Sequence, residues 1–407
     1  MSAGITLLTG ASVVLADRLA DGLTVVIEGD RIVDVLSGPR LTSPAETRIA
    51  LDGCTIVPGF IDVHVHGVLG HDVLDGAEAV ASVAKLLPRW GVTAFCPTSV
   101  ACAPAALDSL LAQTAVARAA ATPGSARVLP AHLESNFLNP GYRGAQPLTC
   151  LRSPAALGSD TGAENGFSAR EILDVIAHRR ADIGIVTLAP ELDGGLELTR
   201  DLVRAGHIVS IGHTAATFDE ACAAIAAGAR QATHLFNRMT PMTHRDPGTV
   251  GAVLADESVA VELICDGRHV HPAAMRVAIA AKSAARVMAI SDGTAGSGLP
   301  AGAHAALGGR RITVGDVALL DDGTSAGSVQ TMDRVFACLV AQCGIDLVRA
   351  AEMCSTTPAR ELGLVGYGVI AKGAIADLTV LDDRLRVVQT FIAGKRVLGR
   401  ETPQELP

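Results

Sequence analysis

One unit recurs along most of this chain: an apolar, β-branched run ends in a polar or ionisable residue, and an Ala/Leu-rich helical stretch follows. The unit occurs eight times, with its run and polar end at residues 60–66, 92–99, 128–134, 183–191, 208–213, 231–237, 261–266 and 287–292. Strand and helix alternating eight times predict an α/β fold, a (β/α)₈ TIM-type barrel. An open doubly wound sheet is the alternative, and eight repeats favour the barrel.

The two ends of the chain differ from this middle. Short alternating segments with Gly-Asp turn signals occupy residues 5–57, and similar segments return at 373–381 and 387–397. They predict antiparallel β structure. We therefore expect one small β domain built from residues 1–57 plus 370–407, with the barrel domain, residues 58–369, inserted between its two halves.

Length and charge narrow the class of protein. The 407 residues suffice for one large domain and a smaller companion. No apolar run reaches the ~18–20 residues of a membrane span, and the N-terminus lacks a basic stretch followed by an apolar core. We therefore expect a cytoplasmic protein without a membrane partner. A net charge of −9 argues against nucleic-acid binding. The nine cysteines are scattered along the sequence, which favours reduced thiols over a disulfide framework.

Six ionisable side chains stand at five of the predicted strand ends, namely His64, His66, Glu134, His213, His234 and Asp292. In a barrel the carboxyl ends of all strands open on one mouth, so these side chains would converge there. Nitrogen and oxygen donors of this kind form catalytic sites for a divalent metal ion. Each residue alone could be a hydrogen-bonded strand-end residue, but six in register predict a metal site.

Asp292 follows the last predicted strand, where it could take a proton from a metal-activated water and pass it to a leaving group. A carboxylate suits this role because it can accept and then donate one proton. A further metal ligand or a helix cap before Gly293 is the structural alternative. The roles do not exclude one another.

The motifs that contain these residues lie at 60–67 (Phe-Ile-Asp-Val-His-Val-His-Gly), 132–134, 212–214, 232–237, 245–248, 266–272 and 291–292. Together they resemble the amidohydrolase superfamily, and within it the branch that removes the acetyl group from 6-phosphorylated N-acetyl amino sugars. The resemblance implies a metal-dependent (β/α)₈ barrel with a small β-sandwich domain, usually a homodimer. The implied small-molecule partner is a phosphorylated N-acetyl amino sugar, and N-acetylglucosamine 6-phosphate is the first choice.

The same resemblance implies a division of the metal ligands. Glu134, His213 and His234 look like the principal ligands, and His64 and His66 like the ligands of a second ion in members that have this pair. One or two divalent ions are expected. Zn²⁺ is the first choice, and Fe²⁺, Co²⁺ and Mn²⁺ suit the same imidazole and carboxylate ligands.

Sugar-phosphate contacts are implied for Asn237, Arg245 and His269. Arginine offers a forked set of donors that suits phosphate oxygens. Arg245 would reach across a dimer interface to the neighbouring site. The alternative for Arg245 is an ion pair with Asp246 or another surface carboxylate.

Three departures from the family pattern bear on the substrate. Ser135 and Asn136 stand where the family usually has Gly-Pro. Gln146 stands where a histidine usually helps to polarise the amide carbonyl; it can donate a hydrogen bond but carries no charge. Arg238 replaces a small residue and adds charge beside the sugar. The alternatives are therefore a hydrolase of another N-acyl amino sugar, such as N-acetylgalactosamine 6-phosphate, or of an N-acyl amino acid, and a non-catalytic metal-binding barrel.

Overall fold

In the computed structural model, which describes residues 4–38, 46–76, 78–120, 122–155 and 166–397, the middle of the chain forms the predicted barrel. Its parallel strands, numbered here barrel strands 1 to 8, are Phe60–Val65, Val92–Ser99, Ala131–Glu134, Ile183–Leu188, Ile208–Ile211, Gln231–Ala232, Ala260–Ile264 and Val287–Ile290. Each pairs in parallel with the next along the chain. A parallel bridge from Val65 to Gly293 joins strand 1 to the segment after strand 8, so the barrel is nearly closed.

The barrel strands are covered on both faces, which explains their near-continuous apolar sequence. Every residue of strands 1 and 2 is buried. On strand 7, Ala260 and Ile264 belong to the apolar cluster that contains Met288 of strand 8, whereas Val261 and Leu263 belong to the larger cluster shared with the helices. The side chain between them, at position 262, therefore lies on the face of Ala260 and Ile264.

A helix follows each barrel strand, as the repeats predict. The α-helices are Ala79–Leu86, Pro104–Ala119, Ala169–His178, Gly195–Arg204, Phe218–Ala226, Gly248–Ala255, Pro272–Lys282, Met332–Ala341, Leu347–Ala351 and Thr357–Glu361. A π-helix covers Glu352–Thr356, and 3₁₀ helices cover Leu87–Trp90, Pro140–Tyr142, Leu148–Cys150, Arg180–Asp182 and Ala284–Arg286. No helix in the described ranges is long and apolar enough to cross a membrane.

Two further sheets are built from the ends of the chain, and the second of them combines strands from both ends. One has the strand order Arg31–Ser37, Leu23–Glu28, Ile5–Thr9 and Glu46–Ala50. The other has the order Lys395–Val397, Val387–Ile392, Leu378–Leu381, Thr55–Pro58, Ser12–Val14 and Leu19–Ala20. Side chains of both sheets meet in one apolar cluster, including Leu8 and Val25 from the first and Ile56 and Phe391 from the second. The two sheets form the predicted β-sandwich.

The prediction of antiparallel pairing is wrong for two strand pairs of this sandwich. Ile5–Thr9 runs parallel to Glu46–Ala50, and Ser12–Val14 runs parallel to Thr55–Pro58. Local turn signals reveal hairpins, but they carry no information on pairs that are separated by tens of residues. Residues 1–3, 39–45 and 398–407 of the predicted β domain lie outside the described residues.

A small antiparallel sheet after strand 8 is an addition to the repeating units. Its strands are His304–Leu307, Arg310–Val314 and Ala318–Leu320. Leu307 and Ile312 of this sheet pack in one cluster with Val100, the residue that follows strand 2. A second attachment comes from the short paired strands Gly67–Val68 and His71–Asp72, because Asp72 Oδ2 accepts a hydrogen bond from Gly308 N at 2.7 Å. The sheet therefore lies at the carboxyl end of the barrel.

Candidate metal centre and substrate cavity

The ionisable residues predicted at the strand ends meet at the carboxyl end of the barrel. Glu134 is the last residue of strand 3, and His213, His234 and Asp292 each follow their strand by two residues. With His66 they line a cavity of about 320 Å³. All five are buried residues with at most 6% exposure, so the wall of the cavity that they form is polar and largely shielded from solvent.

Glu134, His213 and His234 form one compact group. Glu134 Oε1 lies 3.0 Å from His213 Nε2 and 2.9 Å from His234 Nε2, and the two nitrogens are 3.0 Å apart. One oxygen and two nitrogens at these separations can share a single divalent cation.

His64, His66 and Asp292 form a second group beside the first. The two Nε2 atoms are 3.2 Å apart, and each lies 3.3 Å from Asp292 Oδ1. Glu134 joins the groups, since its oxygens lie 3.7 Å from His64 Nε2 and His66 Nε2. The arrangement offers two adjoining positions for cations with Glu134 between them.

The tautomers of two of these histidines are set by backbone carbonyls. His66 Nδ1 lies 3.0 Å from the carbonyl oxygen of Thr98, and His213 Nδ1 lies 2.8 Å from that of Tyr142. A carbonyl oxygen only accepts, so Nδ1 carries the proton and each neutral ring presents its Nε2 lone pair to the group. The buried Nδ1 of His234 has no hydrogen-bond partner among the described residues. Converging lone pairs and carboxylate oxygens repel one another unless a proton or cation lies between them, so the residues fit a divalent metal.

Burial and charge move the pKa values of these groups in opposite directions. Burial lowers the pKa of His64 to about 4. For His66 and His234 burial is outweighed by hydrogen bonds to Asp292 and Glu134, which raise the pKa of each to about 9. Burial would also raise the pKa of Glu134, but its histidine partners hold it well below its usual range. The two carboxylates thus require positive charge beside them, as protons on histidines or as a cation that replaces those protons.

The backbone at the site adopts a conformation that most residues avoid. The φ angle is 48° at His213, 32° at His234 and 49° at Asp292, and Phe236 and Arg238 on the cavity wall have φ angles of 77° and 52°. Left-handed backbone costs a non-glycine residue about 1–3 kcal/mol. Five such residues around one cavity indicate a geometry that the surrounding fold maintains for function.

The predicted substrate contacts differ in where they lie. Asn237, Arg238 and His269 line the cavity, whereas Arg245 is exposed and is absent from the lining. His269 is held by two partners, since its Nδ1 lies 2.6 Å from Asp266 Oδ2 and its Nε2 lies 3.1 Å from a serine hydroxyl. Burial would lower the pKa of His269, but the hydrogen bond to the Asp266 carboxylate outweighs burial and raises it.

Arg238, one of the three departures, lies across the backbone of Gly144 on the cavity wall. A Cβ at Gly144 would come within 2.9 Å of Arg238 Nε, so a larger residue there would displace the arginine side chain. The φ angle of Gly144, 56°, also suits glycine. The side chain therefore has a defined path along the loop that carries Gln146.

Gln146, the second departure, is buried and has both ends of its amide engaged. Its Nε2 donates to Glu134 Oε2, and its Oε1 accepts from Ala101 N at 2.7 Å. The amide thereby connects the backbone after strand 2 to the carboxylate at the centre of the site. One of the two Nε2 hydrogens faces Glu134, which leaves the second for another acceptor.

Ser135 and Asn136, the third departure, have structural partners. Ser135 Oγ donates to the carbonyl oxygen of Thr187 at 2.6 Å. Asn136 Nδ2 donates to the carbonyl oxygens of Cys102 at 2.8 Å and Cys150 at 2.7 Å. Both side chains point into the protein and do not line the cavity. They fix the segment after strand 3 without touching the site.

Sequence reasoning misses two buried residues next to the second group, Glu262 and His132. Glu262 Oε2 lies 2.9 Å from His64 Nδ1, and Glu262 Oε1 lies 3.6 Å from His132 Nδ1. Burial raises the pKa of Glu262 to about 7. The available signal is the run Ala-Val-Glu-Leu-Ile in strand 7, because a carboxylate within a buried apolar strand is rare unless it has a partner.

A barrel with histidines and carboxylates converging at its carboxyl end is an architecture suited to metal-dependent hydrolysis. Residues 55–397 match the Amidohydrolase family. The chain is 36% identical over 394 residues to N-acetylglucosamine-6-phosphate deacetylase of Rattus norvegicus, covering 92% of this chain and 91% of that protein. It is 33% identical over 380 residues to N-acetylgalactosamine-6-phosphate deacetylase of Escherichia coli O157:H7, covering 93% of each. This chain belongs to the amidohydrolase family, which confirms the resemblance of its motifs.

A solved structure agrees over the whole fold. It is an N-acetyl-D-glucosamine-6-phosphate deacetylase variant from Mycobacterium smegmatis in complex with N-acetyl-D-glucosamine-6-phosphate. The two chains are 33% identical with a TM-score of 0.84, and the match covers 98% of this chain and 100% of the other. The predicted barrel with its accompanying β-sandwich is therefore confirmed.

Proposed function

We propose that this chain is a metal-dependent deacetylase that converts N-acetylglucosamine 6-phosphate into glucosamine 6-phosphate and acetate. The observation that carries the proposal is the position of Glu134, 3.0 and 2.9 Å from two histidines and 3.7 Å from each member of the His64/His66 pair. The name of the R. norvegicus relative, which covers most of the chain, supports this substrate.

The metal ligands would divide as the resemblance implies. Glu134, His213 and His234 would hold one ion, and His64 and His66 would hold the second. When bound, a divalent ion supplies Lewis-acid activation of a water molecule and of the amide carbonyl. Zn²⁺ is our first choice, and Fe²⁺, Co²⁺ or Mn²⁺ would suit the same donors.

Asp292 would move the proton. Burial would raise the pKa of this carboxyl, but His64 and His66 hold it below its usual range, so Asp292 is ionised at neutral pH. It can therefore accept a proton from the attacking water and deliver that proton to the amide nitrogen. The C–N bond breaks, the amino sugar departs, and the new C–O bond remains in acetate.

The phosphorylated sugar would lie against Asn237, Arg238 and His269 on the cavity wall. Arg238 and His269 supply local positive charge in a chain with a net charge of −9. Because Arg245 is exposed and lies outside the cavity lining, its phosphate contact would have to come from a second copy in a homodimer. Gln146 would contact the substrate through the N–H of its amide that does not face Glu134.

N-acetylgalactosamine 6-phosphate is the second candidate substrate. The E. coli relative carries that name and matches 93% of the chain, which favours it. The two sugars differ in the configuration of a single hydroxyl group. A pocket that grips the phosphate and the acetamide can therefore accept both.

We also propose the domain division 1–57 plus 370–407 and 58–369, and a cytoplasmic location. The antiparallel pairing of Thr55–Pro58 with Leu378–Leu381 supports the division, since it joins the two terminal segments in one sheet. All eight barrel strands begin after residue 58 and end before residue 369.

Acetate release by the metal-loaded protein tests the proposed activity. The substrates are the 6-phosphates of N-acetylglucosamine and N-acetylgalactosamine and the two unphosphorylated sugars. We expect turnover of N-acetylglucosamine 6-phosphate above the others, and turnover about 10²–10⁴-fold slower by Asp292→Asn with the same metal content. Turnover of a different N-acyl compound alone would refute the substrate but keep the chemistry. No turnover of any N-acyl compound by protein with bound metal would refute the activity.

A further inference from the structure

We infer that Ser325 is a specificity-determining residue: its hydroxyl, held by His269 and Asp266, donates a hydrogen bond to the phosphate of the substrate. The inference rests on the proposed function and deepens it, because it names the group that contacts the phosphate on one side of the cavity. None of the motifs that carry the family resemblance contains Ser325.

Ser325 reaches the cavity from the added sheet that follows strand 8. An isolated antiparallel bridge joins it to the last strand of that sheet, and it lines the cavity together with His269. The next residue, Ala326, is fully buried in the apolar cluster of the sheet. Ser328 N donates to the carbonyl oxygen of Asp292 at 2.8 Å. These contacts fix the segment beside the candidate metal centre and give the Ser325 hydroxyl a defined position.

A line of hydrogen bonds runs from Asp266 through His269 to Ser325. Asp266 Oδ1 accepts from the backbone N of Arg268 and of His269, both at 2.8 Å, and Asp266 Oδ2 lies 2.6 Å from His269 Nδ1. A carboxylate only accepts, so Nδ1 carries the proton. His269 Nε2 lies 3.1 Å from Ser325 Oγ. Both ring nitrogens are therefore engaged, and the imidazole can bond a phosphate directly only by releasing the serine.

The Ser325 hydroxyl can extend this line to an anion in the cavity. His269 Nε2 is its one hydrogen-bond partner among the described residues. Although burial opposes it, the hydrogen bond to Asp266 raises the pKa of His269, and a phosphate nearby would raise it further. The protonated Nε2 then donates to Ser325 Oγ, so the hydroxyl hydrogen is left to donate to a phosphate oxygen.

The shape of the substrate leaves few donors for its phosphate. In an N-acetylhexosamine 6-phosphate the acetamide and the phosphate are attached across the sugar ring from each other, so the phosphate lies away from the candidate metal centre. The donor side chains on the cavity wall outside that centre are Gln146, Asn237, Arg238, His269 and Ser325. Gln146 adjoins Glu134 at the acetamide end, and Asn237 Nδ2 lies 3.3 Å from each of two backbone carbonyl oxygens. Arg238 and Ser325 are therefore the donors left for the phosphate.

The same three residues also have the arrangement of a Ser–His–Asp nucleophile, in which a neutral histidine accepts the serine hydrogen. A nucleophile must adjoin the carbonyl that it attacks. The acetamide carbonyl belongs at the candidate metal centre, and Ser325 has no hydrogen bond to a residue of that centre in the described ranges. Arg238 adds a positive charge to the same cavity wall. These observations favour contact with an anion, and the nucleophile becomes an outcome of the test.

Equilibrium binding of glucosamine 6-phosphate and of glucosamine to the metal-loaded, full-length protein tests the inference by titration calorimetry. The proteins compared are the wild type, Ser325→Ala and Ser109→Ala, the last an exposed site on the helix Pro104–Ala119. We expect Ser325→Ala to bind glucosamine 6-phosphate about 10–100-fold more weakly, because it loses a hydrogen bond to a charged group. Its affinity for glucosamine should equal that of the wild type, and Ser109→Ala should bind both ligands as the wild type does.

Unchanged affinity of Ser325→Ala for glucosamine 6-phosphate, or an equal loss of affinity for both ligands, would overturn the inference. A second test needs no variant. Wild type treated with phenylmethanesulfonyl fluoride and analysed by peptide mass spectrometry should carry no modification at Ser325. Modification there would overturn the inference in favour of a serine nucleophile.

These outcomes are separate from those for the proposed activity, because glucosamine 6-phosphate binds without turnover. Loss of phosphate affinity in Ser325→Ala, in a protein whose wild type releases no acetate, would refute only the deacetylase. Acetate release by a wild type whose Ser325→Ala variant keeps its affinity for the phosphorylated sugar would refute only the role of Ser325.

Discussion

Asn136→Asp should destabilise the protein, and the loss should grow with pH. Asn136 is 2% exposed, and its Nδ2 donates to the carbonyl oxygens of Cys102 and Cys150 at 2.8 and 2.7 Å. These bonds join the segment after strand 2 to the loop that carries Gln146. Aspartate has the same shape, but its carboxylate only accepts hydrogen bonds, so it would face two carbonyl oxygens without a donor.

The structure sets the size of this effect. Each hydrogen bond contributes about 0.5–1.5 kcal/mol, and a buried acceptor left unpaired costs about 1–3 kcal/mol. Because these costs overlap, we expect about 3 kcal/mol at neutral pH, before any repulsion between the oxygens. Burial and the facing carbonyls raise the folded pKa of the introduced carboxyl above its unfolded value of ~3.9. The destabilisation is therefore smallest below that value and grows as the pH rises through the folded pKa.

Thermal unfolding of the wild type and Asn136→Asp between about pH 5 and about pH 8 measures this prediction. The midpoint of the variant should fall further below that of the wild type at each higher pH. Gln342→Glu, the same amide-to-acid change at an exposed residue, should show a small difference that does not depend on pH. Equal midpoints at about pH 8 would refute the reasoning, since they would mean that Asn136 does not donate to both carbonyls.

Three further predictions concern the cavity and the barrel interior. Asp292→Asn should lower kcat by about 10²–10⁴-fold with unchanged metal content; loss of metal would instead make Asp292 chiefly a ligand. Arg238→Ala should raise KM for the 6-phosphorylated sugar by roughly tenfold, because it removes a charge-assisted hydrogen bond that contributes about 1.5 kcal/mol. An equal rise in KM for the unphosphorylated sugar would contradict a phosphate contact. Thr187→Val should cost about 2–4 kcal/mol because it bonds His132 and Thr233. Thr199→Val, buried with one bond to its own helix, should lower the unfolding midpoint less.

The barrel could be predicted because its physics is local. A strand buried on both faces needs a continuous apolar run, and a helix that covers it needs its own apolar stretch, so each unit is visible without knowledge of its neighbours. The polar end of each run marks the carboxyl end of a strand. Parallel strands then bring these ends together, which is why Glu134, His213 and His234 could be grouped although up to a hundred residues separate them.

The remaining features depend on contacts that no local pattern encodes. Gln146 illustrates this, because the sequence places it near the substrate carbonyl whereas its amide is engaged by Glu134 and Ala101 N. Those partners come from different strand ends and meet only after the loops have folded. Its role in substrate binding stays a prediction. The added sheet that begins at His304 could not be predicted for another reason. It follows strand 8, where the strand–helix repeat ends.

A series of hydrogen-bonded hydroxyl groups in the barrel interior shows how residues outside the candidate site constrain its geometry. Ser210 Oγ and Thr187 Oγ1 each lie 2.6 Å from Thr233 Oγ1, and Thr187 Oγ1 lies 2.7 Å from His132 Nε2. His132 Nδ1 donates to the carbonyl oxygen of Val63 at 3.0 Å, so its Nε2 must accept from Thr187.

This series of hydrogen bonds connects barrel strands 5, 4, 3 and 1 and the residue that follows strand 6. All of its side chains are buried, so sliding one strand by a residue would leave both a donor and an acceptor unpaired. The hydrogen bonds therefore favour the single register in which the carboxylates and imidazoles converge. The same register places His132 beside Glu262 and Glu262 beside His64, so contacts next to the candidate metal centre depend on hydroxyl groups that lie outside it.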